Sequence, residues 1–362
     1  MIRIEIGRAG SMIKEYKDDD IKDIMSLYFN HPIWQMKRDD PVPDMPLDIQ
    51  IELINRCNLK CEYCSSNYQK RKKSLLEWDV LKQIIDEAAK AGICYFTICG
   101  IGEAALHPDL FSFCRYIREK KVQPKGLRVL TMMPSILISN GMWTSSQVEE
   151  CIENPPDVLS LSLAGLTDEE IKQRRSPINL DLLWKNISSI YKGRKHERTV
   201  DGGIVPVIHL STHIYPSEIE SRKEDIIAFK NKWFEISDAI VIKPTMLGKR
   251  TIPILNLLYE KYFRVKENSP LSYANISETH FERTAPCFET SRRLSINSDG
   301  NVWCGHHLSE DFGDFLGNVR KQTIHEIWHS EVMKEYRQKV RSGIFNRTLC
   351  KTCGGEIREV QR

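Results

Sequence analysis

Six short apolar runs recur along the middle of the chain. They are DIQIELI (48–54), YFTICG (95–100), SILISN (135–140), VLSLSLAG (158–165), IVPVIHLST (204–212) and DAIVIKPT (238–245). Near-continuous apolar runs of this length predict strands buried on both faces. Between most of them lie amphipathic helical patterns. One carries Leu76, Val80, Leu81, Ile84, Ile85 and Ala88; another Leu110, Phe113, Cys114 and Ile117; a third Leu182, Leu183, Asn186, Ile187 and Ile190. Alternating strand and helix predicts an α/β fold of parallel strands joined by right-handed crossovers. Six such units are too few to close an eight-unit barrel. The expectation is an open, partial (β/α)6 barrel over 48–250, with its chemistry at the carboxyl ends of the strands.

The pattern differs at both ends. Within residues 1–47, the stretch 11–37 has Met12, Ile13, Tyr16, Ile21, Ile24, Met25 and Leu27 at near-helical spacing and is expected to be a helical extension. DDPVPDMP (39–46) breaks that pattern with three prolines. Residues 251–283 show no sustained periodicity and read as a connector. From 284 to 362 a small α+β unit is expected. RRLSINSDGNVWC suits a hairpin turning at Asp299-Gly300, and TIHEIWHSEVMKEYRQKVRSG one helix closed by Gly343. That unit is short for an independent core, and a bound metal group would supply the missing stabilisation.

Composition narrows the class. The 362 residues are 41% hydrophobic and 28% charged, with net charge +3, which suits a soluble protein with a substantial core. The balance is too mild for a nucleic-acid partner. KRKK (70–73) is the densest basic patch and reads as a solvated loop. The N-terminus lacks the apolar region of a signal peptide, and no run of eighteen apolar residues exists to span a membrane. Eleven cysteines without a secretory signal point to metal-bound thiolates in a reducing cytoplasm.

Seven of those cysteines form two groups. Cys57, Cys61 and Cys64 make a CxxxCxxC in the loop at the end of the first strand. Three thiolates on one tight loop suit an iron–sulfur cluster with an open iron. They also suit zinc, if a fourth ligand such as His107 completes the set in space. Cys287, Cys304, Cys350 and Cys353 suit either a structural zinc or a fully ligated cluster. Cys94, Cys99, Cys114 and Cys151 fall in or beside apolar elements and read as small core hydrophobes, with Cys99 the one nearest the expected site. His209 and His213, near the end of the fifth strand, are candidates to touch a substrate. His306 and His307 follow Cys304 and could hydrogen-bond around a cluster.

IELINRCNLKCEYC, with Tyr63 just before the last cysteine, resembles the signature of the radical S-adenosylmethionine (SAM) superfamily. The resemblance implies a [4Fe–4S] cluster on Cys57, Cys61 and Cys64. It also implies SAM chelated to the open iron, and a 5′-deoxyadenosyl radical formed by one-electron cleavage. Gly100-Ile101-Gly102-Glu103 is similar to the family's GGEP-type turn, which binds the SAM amino group, although Ala104 replaces the proline. Glycines there let a backbone approach a ligand closely. By the same resemblance, Ser139, Asn140 and Ser162 are candidate contacts to the ribose and carboxylate of SAM, and Arg174 to the carboxylate.

INSDGNVWC, FLGNVRKQTIHEIWHSE and the late CKTC resemble the SPASM/twitch class of C-terminal domains. No cysteine follows Cys353, which implies the shorter twitch form with one auxiliary [4Fe–4S] cluster, and so two clusters in the chain. A fully ligated cluster suits electron transfer. The resemblance therefore implies an oxidoreductase that abstracts hydrogen from a small polar substrate. A sugar or aminocyclitol-like alcohol of antibiotic biosynthesis is expected, oxidised with the auxiliary cluster as electron acceptor. An external one-electron donor such as flavodoxin or ferredoxin is expected. The alternatives are a maturase of ribosomally made peptides, against which the 47 residues before the first strand count as too few for a leader-binding domain, and a non-catalytic zinc or iron–sulfur protein.

Overall fold

The computed structural model describes residues 13–16, 40–62, 64, 66, 69, 71–92, 95–122, 131–132, 135–197, 204–214, 218–219, 221–244, 280–283, 287, 289–303, 315–344 and 357–360. All six expected strands form: β2 (Asp48–Ile51), β3 (Tyr95–Ile98), β4 (Ser135–Ser139), β5 (Val158–Ser162), β6 (Val207–Ile214) and β7 (Ala239–Pro244). They pair in parallel in that order. The crossovers carry α1 (Trp78–Ala91), α2 (Leu110–Glu119), α3 (Ser145–Glu153), α4 (Asp168–Arg174), α5 (Leu180–Gly193) and α6 (Lys223–Phe234).

Two further segments extend this sheet. β1 (Ile13–Tyr16) lies antiparallel on the outer edge of β7, pairing Ile13 with Ile242 and Tyr16 with Ala239. This overturns the helical expectation for those four residues; the remainder of 11–37 lies outside the described residues. The open edge of β7 offers unpaired backbone groups, and Ile-Lys-Glu-Tyr is too short for a helical period to outweigh that pairing. At the opposite edge β8 (Arg293–Ile296) pairs in parallel with β2. β9 (Asn301–Trp303) and β10 (Phe315–Asn318) follow antiparallel. The expected hairpin thus exists, with Gly300 at φ +82° in its turn, and it continues the barrel's own sheet to ten strands.

The expected single C-terminal helix is two, α7 (Ile324–Trp328) and α8 (Glu331–Arg341). Ser330 divides them because its hydroxyl accepts from the Met333 N–H (3.2 Å), capping a new helix.

The sheet has two unlike faces. Ile49, Ile51, Leu53, Phe96, Ile98, Leu137, Leu159, Leu161, Ile208, Leu210, Ile240 and Ile242 share one core with the helices. Alternate positions turn inward and are largely polar: Asp48, Gln50, Glu52, Thr97, Ser160, His209, Ser211, Arg293, Ser295 and Asn297 are all buried. The strands are thus apolar on the helix side and mixed on the inner side, so the two-sided apolar burial expected of the runs holds only in part. Ile136, Ile138, Val158, Val207, Ala239 and Val241 add apolar side chains to the same inner face.

Candidate active site

The CxxxCxxC loop leaves β2 after a bridge between Ile54 and Leu75. It docks on the end of α4: the Lys60 N–H donates to the Ser176 carbonyl (2.7 Å) and the Glu62 N–H to the Arg174 carbonyl (2.9 Å). Donors gather at its sulfurs. The Leu59 N–H points to Cys57 Sγ (3.5 Å) and the Ser66 N–H to Cys64 Sγ (3.4 Å). Asn140 Nδ2 lies 3.9 Å from Cys57 Sγ and donates to Asn58 Oδ1 (2.7 Å). Burial raises the Cys57 thiol pKa, the Leu59 N–H lowers it, and the charges of Glu103, Cys64 and Cys61 raise it. Those couplings place the three thiols in one electrostatic neighbourhood with Glu103. Among the described residues no three His, Cys, Asp or Glu side chains converge on a single-ion position, whereas a cubane cluster holds its ligands further apart. The proposed zinc partner is also committed. His107 Nε2 contacts the Leu76 carbonyl (2.8 Å) and its Nδ1 accepts from the Asp109 N–H (3.1 Å).

Glu103 is the hub of the second strand end. It is buried and accepts from Ser139 Oγ (2.6 Å), the Asn140 N–H (2.8 Å), the Ala105 N–H (3.2 Å) and Trp143 Nε1 (3.4 Å). Ser139 and Asn140 thus join Glu103 and the cysteine loop in one network, with Asn140 Oδ1 accepting from the Met142 N–H (2.8 Å). The glycines of this turn make close approaches within the chain itself. A Cβ on Gly102 would sit 2.1 Å from the Ile54 carbonyl oxygen, and one on Gly100 would sit 2.3 Å from Glu52 Cγ. The turn is pressed against the start of the cysteine loop.

Ser162 ends β5, half-buried and with no side-chain hydrogen bond among the described residues. Arg174 donates to the Ala164 carbonyl (3.1 Å) and stands 3.8 Å from Glu170. Its neighbour, overlooked in the sequence, is different. Arg175 is only 4% exposed, and its Nε and Nη1 have no partner. The two hydrogen bonds from Lys60 and Glu62 flank it and set it across from Cys61. A buried guanidinium with unused donors fits an anionic group beside the loop. A basic residue closing the helix that docks on the cysteine loop was the available signal, and the adjacent Arg-Arg left the choice open. Tyr63, Cys304, Cys350 and Cys353, with Cys94, His306 and His307, lie outside the described residues.

Cys287 is half-buried, and its N–H donates to the Val340 carbonyl of α8 (3.0 Å). Cys114 and Cys151 are fully buried, as expected, and burial raises both thiols, Cys114 to about 12. Cys99, half-buried just past β3, lies near Arg293, Asp48 and Glu52, and desolvation pushes its thiol up to about 12. KRKK is in part the solvated loop expected, with Lys72 and Lys73 exposed and Lys70 outside the described residues, but Arg71 departs from it. Arg71 is buried and forms a two-pronged pair with Glu52 (2.8 and 2.9 Å).

The sequence model of the Radical SAM superfamily matches residues 51–205, and that of SPASM, an iron–sulfur cluster-binding domain, matches residues 287–354. The tungsten-containing aldehyde ferredoxin oxidoreductase cofactor-modifying protein of Pyrococcus furiosus is 26% identical over 306 residues, 78% of this chain and 81% of that protein. Two solved structures share the fold. anSMEcpe with bound AdoMet is 17% identical at TM-score 0.54, covering 82% of this chain and 81% of that one. Streptococcus suis SuiB bound to S-adenosylmethionine is 15% identical at TM-score 0.53, covering 89% and 74%. Among the described residues no helix is long and apolar enough to cross a membrane. The cysteine loop, the Glu103 network and both matched regions lead to one conclusion: the chain is a radical SAM superfamily enzyme with a C-terminal SPASM-type iron–sulfur domain.

Proposed function

We propose that this enzyme removes hydrogen from a small polar alcohol, of sugar or aminocyclitol type, and oxidises it to a carbonyl. The observation that carries the reading is the polar inner face of the sheet. Asp48 accepts from Thr97 Oγ1 (3.0 Å) and pairs with Arg293, and Ser160 Oγ meets His209 Nδ1 (2.9 Å). A lumen lined largely by polar side chains favours a ligand that can hydrogen-bond over an apolar one.

Cys57, Cys61 and Cys64 would hold the first cluster, and Cys287, Cys304, Cys350 and Cys353 one auxiliary cluster. When bound, these groups and SAM supply one-electron cleavage of SAM, hydrogen-atom removal and uptake of one electron from the substrate. The chain's residues do the rest. Asn140 and the Leu59 N–H support the Cys57 sulfur, and Arg175 and Ser162 would hold the anionic end of SAM. His213, exposed at the carboxyl end of β6, shares the inward parity of His209 and would take the hydroxyl proton on a ring nitrogen. A flavodoxin- or ferredoxin-like donor supplies the starting electron.

The test uses anaerobically reconstituted protein with SAM, a reductant and a panel of aminocyclitols and sugars. About eight irons per chain are expected on the two-cluster reading. One substrate should raise 5′-deoxyadenosine formation and give a carbonyl product, with deuterium passing from its carbinol carbon into 5′-deoxyadenosine. Replacing Cys57, Cys61 and Cys64 by Ala should abolish SAM cleavage and leave about four irons. If no alcohol stimulates turnover and a peptide does, the dehydrogenase reading is overturned in favour of peptide maturation.

A further inference from the structure

A cleft of about 340 Å³ lies far from the cysteine loop in sequence, between the segment before β2 and the two C-terminal helices. Val42, Pro43 and Trp328 give it an apolar wall, and Lys334, Arg337 and Arg341 give it cations. Asp44 is the one acidic residue among the described lining.

Arg337 is the unusual member. It is 6% exposed, and its guanidinium carbon stands 3.8 Å from the Trp328 ring centre. Its Nε donates to the Thr290 carbonyl (2.9 Å), while Nη2 has no partner. No carboxylate pairs with it among the described residues. Burial lowers its pKa to about 10, so its charge is held without a counter-charge. The walls are fixed independently of any ligand. Trp328 Nε1 donates to the Pro43 carbonyl (2.9 Å), His329 Nε2 contacts the Asp44 carbonyl (2.8 Å), and Arg341 Nη2 donates to the Asp40 carbonyl (2.6 Å). The cleft is thus pre-formed, of ligand size, apolar on one side and cationic on the other.

We propose that this cleft binds a small organic anion, a phosphate ester or carboxylate, with its charged group on Arg337 and Arg341 and its body against Trp328 and Pro43. An occupant would fasten segment 40–44 to α8. That helix reaches Cys287 through the Val340 carbonyl, so occupancy would brace the SPASM-type unit from outside the active site.

The test is calorimetric titration of the cluster-loaded full chain with glycerol 3-phosphate, inorganic phosphate and malonate in low-chloride buffer. One-to-one saturable binding of at least one anion is expected. Preference for the phosphates or for malonate tells which charged group the cleft takes. Arg341→Gln should weaken binding at least tenfold and Lys334→Gln a few-fold, from loss of charge-assisted contacts. Arg337→Lys, which keeps the charge and loses the fork, should weaken it as well. These rim variants keep the test open if Arg337 variants fail to fold. Absence of saturable binding by all three anions, or unchanged affinity in an Arg341→Gln/Lys334→Gln double variant, would overturn the proposal.

Discussion

Arg174 and Arg175 are neighbours in sequence with opposite circumstances. Arg174 spends its guanidinium on the Ala164 carbonyl and Glu170 at the end of α4. Arg175 is buried with two nitrogens unused, across from Cys61. If Arg175 meets the carboxylate of SAM, its loss removes a charge-assisted contact of about 1.5–3 kcal/mol, roughly ten- to a hundredfold in affinity. Equilibrium dialysis on cluster-loaded Arg175→Met should show that weakening for SAM. Methylthioadenosine, which lacks the carboxylate, should bind wild type and variant alike. Arg174→Met should change SAM affinity about twofold or less, because its partners are within the chain. Equal losses in the two variants would remove the distinction. Sequence spacing alone leaves this pair ambiguous, since which of two consecutive arginines points inward depends on where α4 stops.

At the scale of elements, the short turn after β3 shows what a single buried histidine contributes. His107 bridges the turn to the β2–α1 connection through the Leu76 carbonyl, and its other nitrogen accepts from the Asp109 N–H. That arrangement requires the neutral ring. Burial lowers its pKa below the ordinary 6.5, so the unfolded chain binds a proton here before the folded one does. The stability His107 provides is therefore complete above about pH 6.5 and lost as pH falls, until the folded-state pKa is passed. Denaturant midpoints should drop between pH 7.5 and 6 in the wild type and drop less in His107→Gln. An identical slope in both would place the titration elsewhere.

The same elements show what a sequence discloses. The six barrel strands were legible because most carry alternating outward apolar residues, such as Ile49, Ile51 and Leu53, and the helices between them keep a clear stripe. β1 was not legible, since the edge of β7 that recruits it is more than 220 residues away. The break between α7 and α8 was present in the letters, in Thr323 with Glu326 and in Ser330, but caps compete poorly for notice inside a long amphipathic run. The cysteine loop, Glu103, Ser139 and Asn140 were found by motif. That Ser139 and Asn140 hold Glu103 could be seen only once three strand ends met.

For the whole molecule, Glu52 decides whether the two matched regions behave as one body. Its buried carboxylate receives Arg71 through two nitrogens, the Ile101 N–H (2.9 Å), the Ser298 N–H (3.2 Å) and Ser298 Oγ (2.9 Å). One side chain thereby joins the segment after the cysteine loop, the Gly100–Glu103 turn and the hairpin that precedes Cys304. The sheet runs through the same place, where the Glu52 N–H donates to the Ile296 carbonyl (2.9 Å). Glu52→Gln leaves Arg71 buried without its counter-charge, which costs about 3–5 kcal/mol, and Glu52→Gln/Arg71→Met should recover part of that loss. Because β8 continues β2, the barrel and the SPASM-type unit should also unfold together. Far-UV circular dichroism and iron–sulfur absorbance should give coincident transitions in the wild type, both moved to lower denaturant in Glu52→Gln. An absorbance transition that shifts while the circular dichroism transition stays put would mean that the hairpin leaves the barrel on its own, and that the continuous sheet does not couple the two regions.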